Sequence, residues 1–397
     1  MSDKYLSLMN TMTTWLIIAA VFSINLPIAF GSISLGLLLI VWLVSGDYQK
    51  KYRLISANPG ALVALLLLAL YAIGITYSTA PLNESAHYFL KYLKLLLIPI
   101  AVSTLFLDRY REYAINAFLI SLIGFLLVSY LNWLGFFDFG LMHHGTYMAI
   151  GFYFMLSRAK RLTGPYRLTW LILAALTIFN ILVIADVRTG VITMFALFAL
   201  FCFEHWGKRT LFYSLGVILL AFMLIQTIPS FKTLNPRLTH LQEELSSYRA
   251  NESARQTSAG QRLDMYRNTI TLIAQHPIFG GGTGSLCGEY AELIKGSDVV
   301  VTRVTNPHNQ YLATTQDLGV VGLIVLLMFW ITHWRMSYQL INLEDSRSFR
   351  AVILATVIGC LLNSLLLDSG DGRMYCLLAG IFLSCYQSSL KRVKQYS

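Results

Sequence analysis

The chain has 397 residues, 56% of them hydrophobic and only 13% charged, with a mean hydropathy of +0.60. A soluble domain carries about a quarter charged residues, so the composition excludes a soluble globular protein and indicates an all-α polytopic membrane protein. The net charge of +10 does not point to nucleic acid as a partner, because no basic soluble face is apparent.

Taken in chain order, long apolar runs predict helices near residues 12–29, 31–46, 60–77, 87–107, 113–133, 144–157, 168–186, 189–204, 210–228, 308–334, 350–367 and 374–390. That is about twelve spans of the length a bilayer core requires. The first run is a long hairpin or a signal anchor. It lacks a small-residue cleavage site ahead of a soluble domain, so it reads as membrane-embedded. Eighteen of the thirty Lys and Arg residues, among them Lys50, Lys51, Arg158, Lys160, Lys391 and Lys394, fall at alternate ends of these runs. The intervening short loops, such as STAPLNES and FFDFGLMHH, contain none. This positive-inside pattern places both termini in the cytoplasm.

One connection breaks the rhythm of short loops, and it lies on the side opposite the cytoplasm. The chain therefore divides into nine spans (1–228), a large outward loop (229–307), and three spans with a short tail (308–397). The loop begins polar and then reads RLDMYRNTITLIAQHP, with Leu263, Tyr266, Ile270 and Ile273 at helical spacing. That pattern suits an amphipathic helix lying on the bundle or at the membrane interface. IFGGGTGS and a further short helix follow. A connection this long is more than a link, and such loops usually carry function. No internal repeat relates the first six spans to the last six, which argues against a transporter built from two similar halves.

Five cysteines, Cys202, Cys287, Cys360, Cys376 and Cys385, are spread along the chain, and only Cys287 falls in an outward soluble segment. No disulfide framework can form there, and no spacing suggests a metal.

Cations in the outward half are exceptions to the charge rule, and ionisable groups near a span mark functional sites by default. Outside the loop they are Lys91, Lys94, Arg188 and Arg373. Lys91 and Lys94 are three apart and so share a helix face. They line an anionic pocket, snorkel to headgroups, or pair with a carboxylate such as Asp186. Arg373 serves such a pocket or forms a local cluster with Asp368 and Asp371. Arg188, in ADVRTGVIT, stands at a turn where cations are otherwise excluded.

The most informative stretch is TNPHNQYLATTQDLGVVGL, residues 305–323. Asn306 can cap a helix and Pro307 fits its first turn, which places His308 in that turn at the outward membrane edge. Gly319 falls about three turns on, in the same angular sector as Thr315 and Gly322. The His308 face is thus expected to be a small-residue face that packs closely on neighbouring helices. The helix N-terminus disfavours imidazolium, so His308 would stay neutral near pH 7 and able to accept a proton.

His308-Asn309, nine residues, then Gly319-Val320-Val321-Gly322 resembles the signature of the bacterial O-antigen ligases. HPIFGGGTGS is similar to a His-Pro-apolar-x-Gly-x-Gly element of the wider ligase, polymerase and O-oligosaccharyltransferase superfamily. The VRTG turn with Arg188, and Arg262 opening the loop helix, look like that superfamily's two key arginines. The resemblance implies transfer of a glycan from undecaprenyl diphosphate to a sugar hydroxyl on lipid A–core, at the periplasmic face of the inner membrane. It also implies that neither metal nor other cofactor is needed. Carried over by motif, Arg188 and Arg262 grip the diphosphate and His308 activates the acceptor. Lys91, Lys94, Asn309, Arg373, Asp368 and Gly282 are secondary candidates for binding substrate. The glycine run containing Gly282 either offers backbone N–H groups to phosphate or forms a tight turn.

The nearest alternatives are chemical kin, an O-antigen polymerase or a protein O-oligosaccharyltransferase. A secondary transporter or lipid flippase is the alternative of a different class. It would place charges near mid-membrane rather than at one surface.

Overall fold

A computed structural model describes residues 3–26, 28–104, 108–137, 145–185, 187–210, 213, 214, 216, 257–296, 301 and 303–386. All regular structure among them is helical. The first half comprises α1 (Asp3–Phe22), α2 (Ile28–Val44), α3 (Tyr48–Ser56), α4 (Pro59–Thr76), α5 (Leu82–Leu90), α6 (Leu97–Ser103) and α7 (Asp108–Trp133). Then come α8 (Gly145–Arg161), α9 (Gly164–Phe179), α10 (Arg188–Trp206), α11 (Ser258–Gln275), α12 (Leu286–Leu293), α13 (Gln310–Ser337), α14 (Leu343–Leu362) and α15 (Ser369–Ser384).

The protein is a membrane protein. Among the described residues seven helices are long and apolar enough to cross a bilayer, or eight if α2 and α3, bent by 113°, count as one broken span. Large apolar side chains such as Ile33, Ile40, Ile120, Leu127, Ile324 and Ile331 are exposed, as a lipid-facing surface requires. The core centres on α15, where Met374 to Leu383 is buried all round, the mark of a helix enclosed by others. Glycine sets the closest approach. Gly145 of α8 and Gly190 of α10 meet backbone to backbone, and a Cβ on either would collide with the other.

Several expected boundaries move, each for a physical reason. The run at 87–107 is two helices joined by a short 3-10 turn, Leu93–Leu96. Pro99 lies in the first turn of α6, where its missing N–H costs nothing. The run at 350–367 starts earlier, at Leu343, capped by Asn342. Its charged opening is neutralised by ion pairs that hydropathy does not see: Arg350–Glu204 at 2.5 Å, Arg111–Asp345 at 2.9 Å and Arg347–Glu344 at 3.0 Å. The run at 210–228 lies mostly outside the described residues, as do Asp186 and the polar part of the loop.

The Arg350–Glu204 pair also fixes direction. Glu204 is in the last turn of α10 and Arg350 near the start of α14, so these packed helices run antiparallel. Arg188, the first residue of α10, therefore lies toward the end of the bundle where α14 finishes at Leu362.

Candidate active site

Helix α13 begins at Gln310, later than a cap at Asn306 would start it, because Asn309 is its cap. The Asn309 Oδ1 accepts from the amides of Tyr311 and Leu312 at 3.0 and 3.1 Å. Asn306, the expected cap, instead accepts the His308 amide at 2.8 Å. His308 thus stands outside the helix, in the left-handed region with φ +55°. The expected first-turn position, and the dipole argument built on it, do not apply.

What holds His308 is a set of side chains from distant elements. Its carbonyl accepts from the Tyr266 hydroxyl of α11 at 3.0 Å. Its Nδ1 lies 3.0 Å from Asn363 Oδ1, at the end of α14. That same oxygen accepts the Ser364 amide at 2.9 Å, which fixes the orientation of the Asn363 amide. The imidazole Nδ1 must therefore donate, and Nε2 keeps its lone pair. Burial lowers the His308 pKa below the ordinary histidine value, the nearby Arg262 charge lowers it further, and the Asn363 hydrogen bond opposes both. The ring is neutral at pH 7 with Nε2 as the basic atom.

Arg262 sits in the first turns of α11, a helix capped by Thr257 through the Gly260 amide at 3.1 Å. Its Nη1 donates to the Leu362 carbonyl at 3.3 Å, one residue before Asn363. Arg262 and His308 thus converge on adjacent residues, Leu362 and Asn363. Arg188 shares that end of the bundle and is half-buried. Two residues into its helix, Gly190 packs on Gly145, and the adjoining Thr146 lies against Asp371 of α15.

The secondary candidates separate. Lys91 and Lys94 lie on the one span Leu82–Ser103 but reach different partners. The buried Lys94 ammonium donates to the carbonyls of Leu367, at 3.2 Å, and Asp368. Lys91 instead stands over the Tyr88 ring, 5.6 Å from its centroid. Asp368 caps α15, accepting from Gly370 at 2.8 Å and Asp371 at 3.4 Å. Arg373 donates to Ser32 of α2 at 3.2 Å and shares a cleft of about 430 Å³ with Asp368, Asp371 and Asn363.

Gly319 differs most from expectation. Its φ of +64° and ψ of −162° interrupt α13, so the small-residue face does not run on through it. The HPIFGGGTGS segment fills the interruption. The Gly281 and Gly282 amides donate to the carbonyls of Gln316, at 2.9 Å, and Asp317, at 3.0 Å. In return the Val320 and Val321 amides donate to Pro277 and Ile278 at 2.8 and 3.3 Å. Gly284 donates to the Asp317 carboxylate at 3.1 Å, and Thr283 to the Gly74 carbonyl at 3.1 Å. The loop's amides, that of Gly282 included, are spent on docking, which is the tight-turn alternative. The loop helix α11, which carries Arg262, is in this way fastened to the helix that follows His308.

Sequence reasoning missed Asn363, Gln310 and Tyr266. Gln310 is fully buried, its Oε1 accepting from Leu366 and Leu367 at 2.9 and 3.2 Å while its Nε2 donates to Tyr92 at 3.2 Å. The signal for Asn363 was a polar residue interrupting the apolar run at 350–367. Nothing local announces Tyr266 as a partner of His308. The buried face of α11 is also not the expected one. Met265, Thr269 and Leu272 are buried against Leu286 and Tyr290, whereas Ile270 is exposed. Among the described residues no three His, Cys, Asp or Glu side chains gather as metal ligands would.

Residues 172–327 match the family model described as O-antigen ligase. Over that stretch, which is less than half of its length, the chain is similar to the O-antigen ligases. The chain is also similar to an uncharacterized protein of Haemophilus influenzae, 28% identical over 131 residues, a match that spans 32% of each chain. The matched stretch includes Arg188, Arg262, His308 and Gly319. Asn363, which orients the histidine, and Lys91, Lys94, Asp368 and Arg373 lie beyond its limits.

Proposed function

We propose that the protein is a membrane-embedded glycosyltransferase that ligates O-antigen polysaccharide from undecaprenyl diphosphate onto a sugar hydroxyl of lipid A–core, in lipopolysaccharide biosynthesis. The reading takes twelve spans with both termini cytoplasmic and the site at the periplasmic face of the inner membrane. The observation that carries it is the meeting of Arg262 and His308 at Leu362 and Asn363, with Nε2 of a neutral imidazole left as the base.

The chemistry asks for little more. As the sugar–phosphate bond breaks, negative charge grows on the diphosphate, and fixed guanidinium groups stabilise it through bidentate bonds. Arg262 and Arg188 take that role. Diphosphate leaves readily, so the remaining demand is a base for a weakly acidic hydroxyl, which is His308. A single displacement of this kind inverts the anomeric centre.

The test is transfer by purified protein, given undecaprenyl-diphosphate-linked glycan with lipid A–core, with a second donor molecule, or with a protein acceptor. Product on lipid A–core alone is expected. Chain lengthening would make the protein a polymerase, protein glycosylation an oligosaccharyltransferase, and substrate counterflow in proteoliposomes without covalent product a transporter.

The pH dependence follows from the same geometry. A base must be unprotonated, so the rate rises with pH through the His308 pKa and then levels off. Because burial and Arg262 lower that pKa, the midpoint is expected below about 6.5, the ordinary histidine value. Asn363→Ala removes the one contact that favours the protonated ring, so the midpoint moves lower still. The plateau should also fall, by about tenfold or more, because the tautomer is no longer held. A midpoint that does not move in this variant would remove Asn363 from the reading.

A further inference from the structure

Two clefts of similar size lie near His308, one through its partner Asn363 and one through its own segment. One, of about 430 Å³, lies between the α1–α2 turn and the α14–α15 loop and includes Asn363, which holds the His308 ring. It adjoins the loop on which Arg262 is anchored. The other, also of about 430 Å³, lies between α5 and α12 and includes Thr305, three residues before His308.

The second cleft is cationic. His87 and Lys91 line it from the α5 side and Arg303 from the stretch of chain leading to His308, with Glu84 the one carboxylate among its lining residues. Lys94 is taken up by the Leu367 and Asp368 carbonyls, whereas Lys91 lines this cleft. Arginine and lysine from separate elements converging on one concavity suit a phosphate group.

A transferase must bring two substrates to one base. In the ligase reading the donor's phosphates are met by Arg262, anchored at Leu362, and by Arg188, so the second cleft's cations answer a different anion. We propose that the α5–α12 cleft binds a phosphate group carried by the acceptor glycolipid, so that donor and acceptor reach His308 through separate clefts. The nature of the acceptor rests on the ligase reading above; the anion specificity of the cleft rests on its own residues.

Cys287 lines the same cleft, and the other four cysteines are buried. Maleimide labelling of Cys287 therefore reports occupancy without any need for turnover. The probes are lipopolysaccharide lacking O-polysaccharide, the same glycolipid stripped of phosphate with hydrofluoric acid, and phosphatidylglycerol vesicles. Intact glycolipid is expected to protect Cys287, and the other two are not. In Lys91→Gln/Arg303→Gln, protection should require about tenfold more glycolipid, while labelling without ligand keeps its wild-type rate, showing an intact fold. Equal protection by the dephosphorylated glycolipid or by the vesicles overturns the proposal, as does absent protection or protection unaltered by the double substitution. Protection without glycan transfer would leave the cleft standing and remove the ligase reading; transfer without protection would do the reverse.

Discussion

His308→Ala is expected to lower the rate of glycan transfer about 10²–10⁴-fold, the usual contribution of a positioned general base. The loss should appear in kcat, because the diphosphate contacts are supplied by other side chains. Alanine alone does not isolate the base. His308 sits at φ +55°, where most L-residues cost about 1–2 kcal/mol, so His308→Ala should also be slightly less stable. His308→Asn separates the two effects. Asparagine tolerates left-handed backbone but has no basic nitrogen, so this variant should melt as the wild type does and yet transfer as poorly as alanine. Transfer by His308→Asn at near the wild-type rate would end the assignment of His308 as base.

The helices were legible because burial in a bilayer writes itself into the chain as long apolar runs. The geometry of the candidate site was legible only in part. His308, Arg188 and Arg262 could be singled out by motif and by charge out of place. Their supports could not, because Asn363 and Tyr266 act across 55 and 42 residues of sequence. Periodicity also assumes an unbroken helix. That assumption ran α13 straight through Gly319. A Gly-x-x-Gly pattern fits close helix packing and a left-handed break equally well. What decides between them here is the 276–285 segment, whose carbonyls and amides replace the missing helical hydrogen bonds. No local pattern reveals that partner. The two glycine-bearing elements noticed separately in the sequence are halves of one joint.

Gly319→Ala is expected to undo that joint. At φ +64° and ψ −162° the backbone occupies a region essentially confined to glycine, and an alanine there costs about 1–3 kcal/mol. The added Cβ would also strike the Ile278 carbonyl and the Phe279 amide, which are the backbone of the docked loop. Either the helix straightens or the loop lifts, and both outcomes release the four exchanged hydrogen bonds that flank the break. Arg262 rides on the helix just upstream of that loop, so its guanidinium loses its registration with Leu362 and His308. A displacement of about 1 Å at a reacting centre costs on the order of 10²-fold, and a transfer rate reduced by that much is expected, together with a lower melting temperature. Gly124→Ala is the control, since a Cβ on that residue of α7 meets nothing within 4 Å; its stability should stay within about 0.5 kcal/mol of wild type. If Gly319→Ala matched this control in both melting and transfer, the joint would have no part in holding Arg262 beside the base.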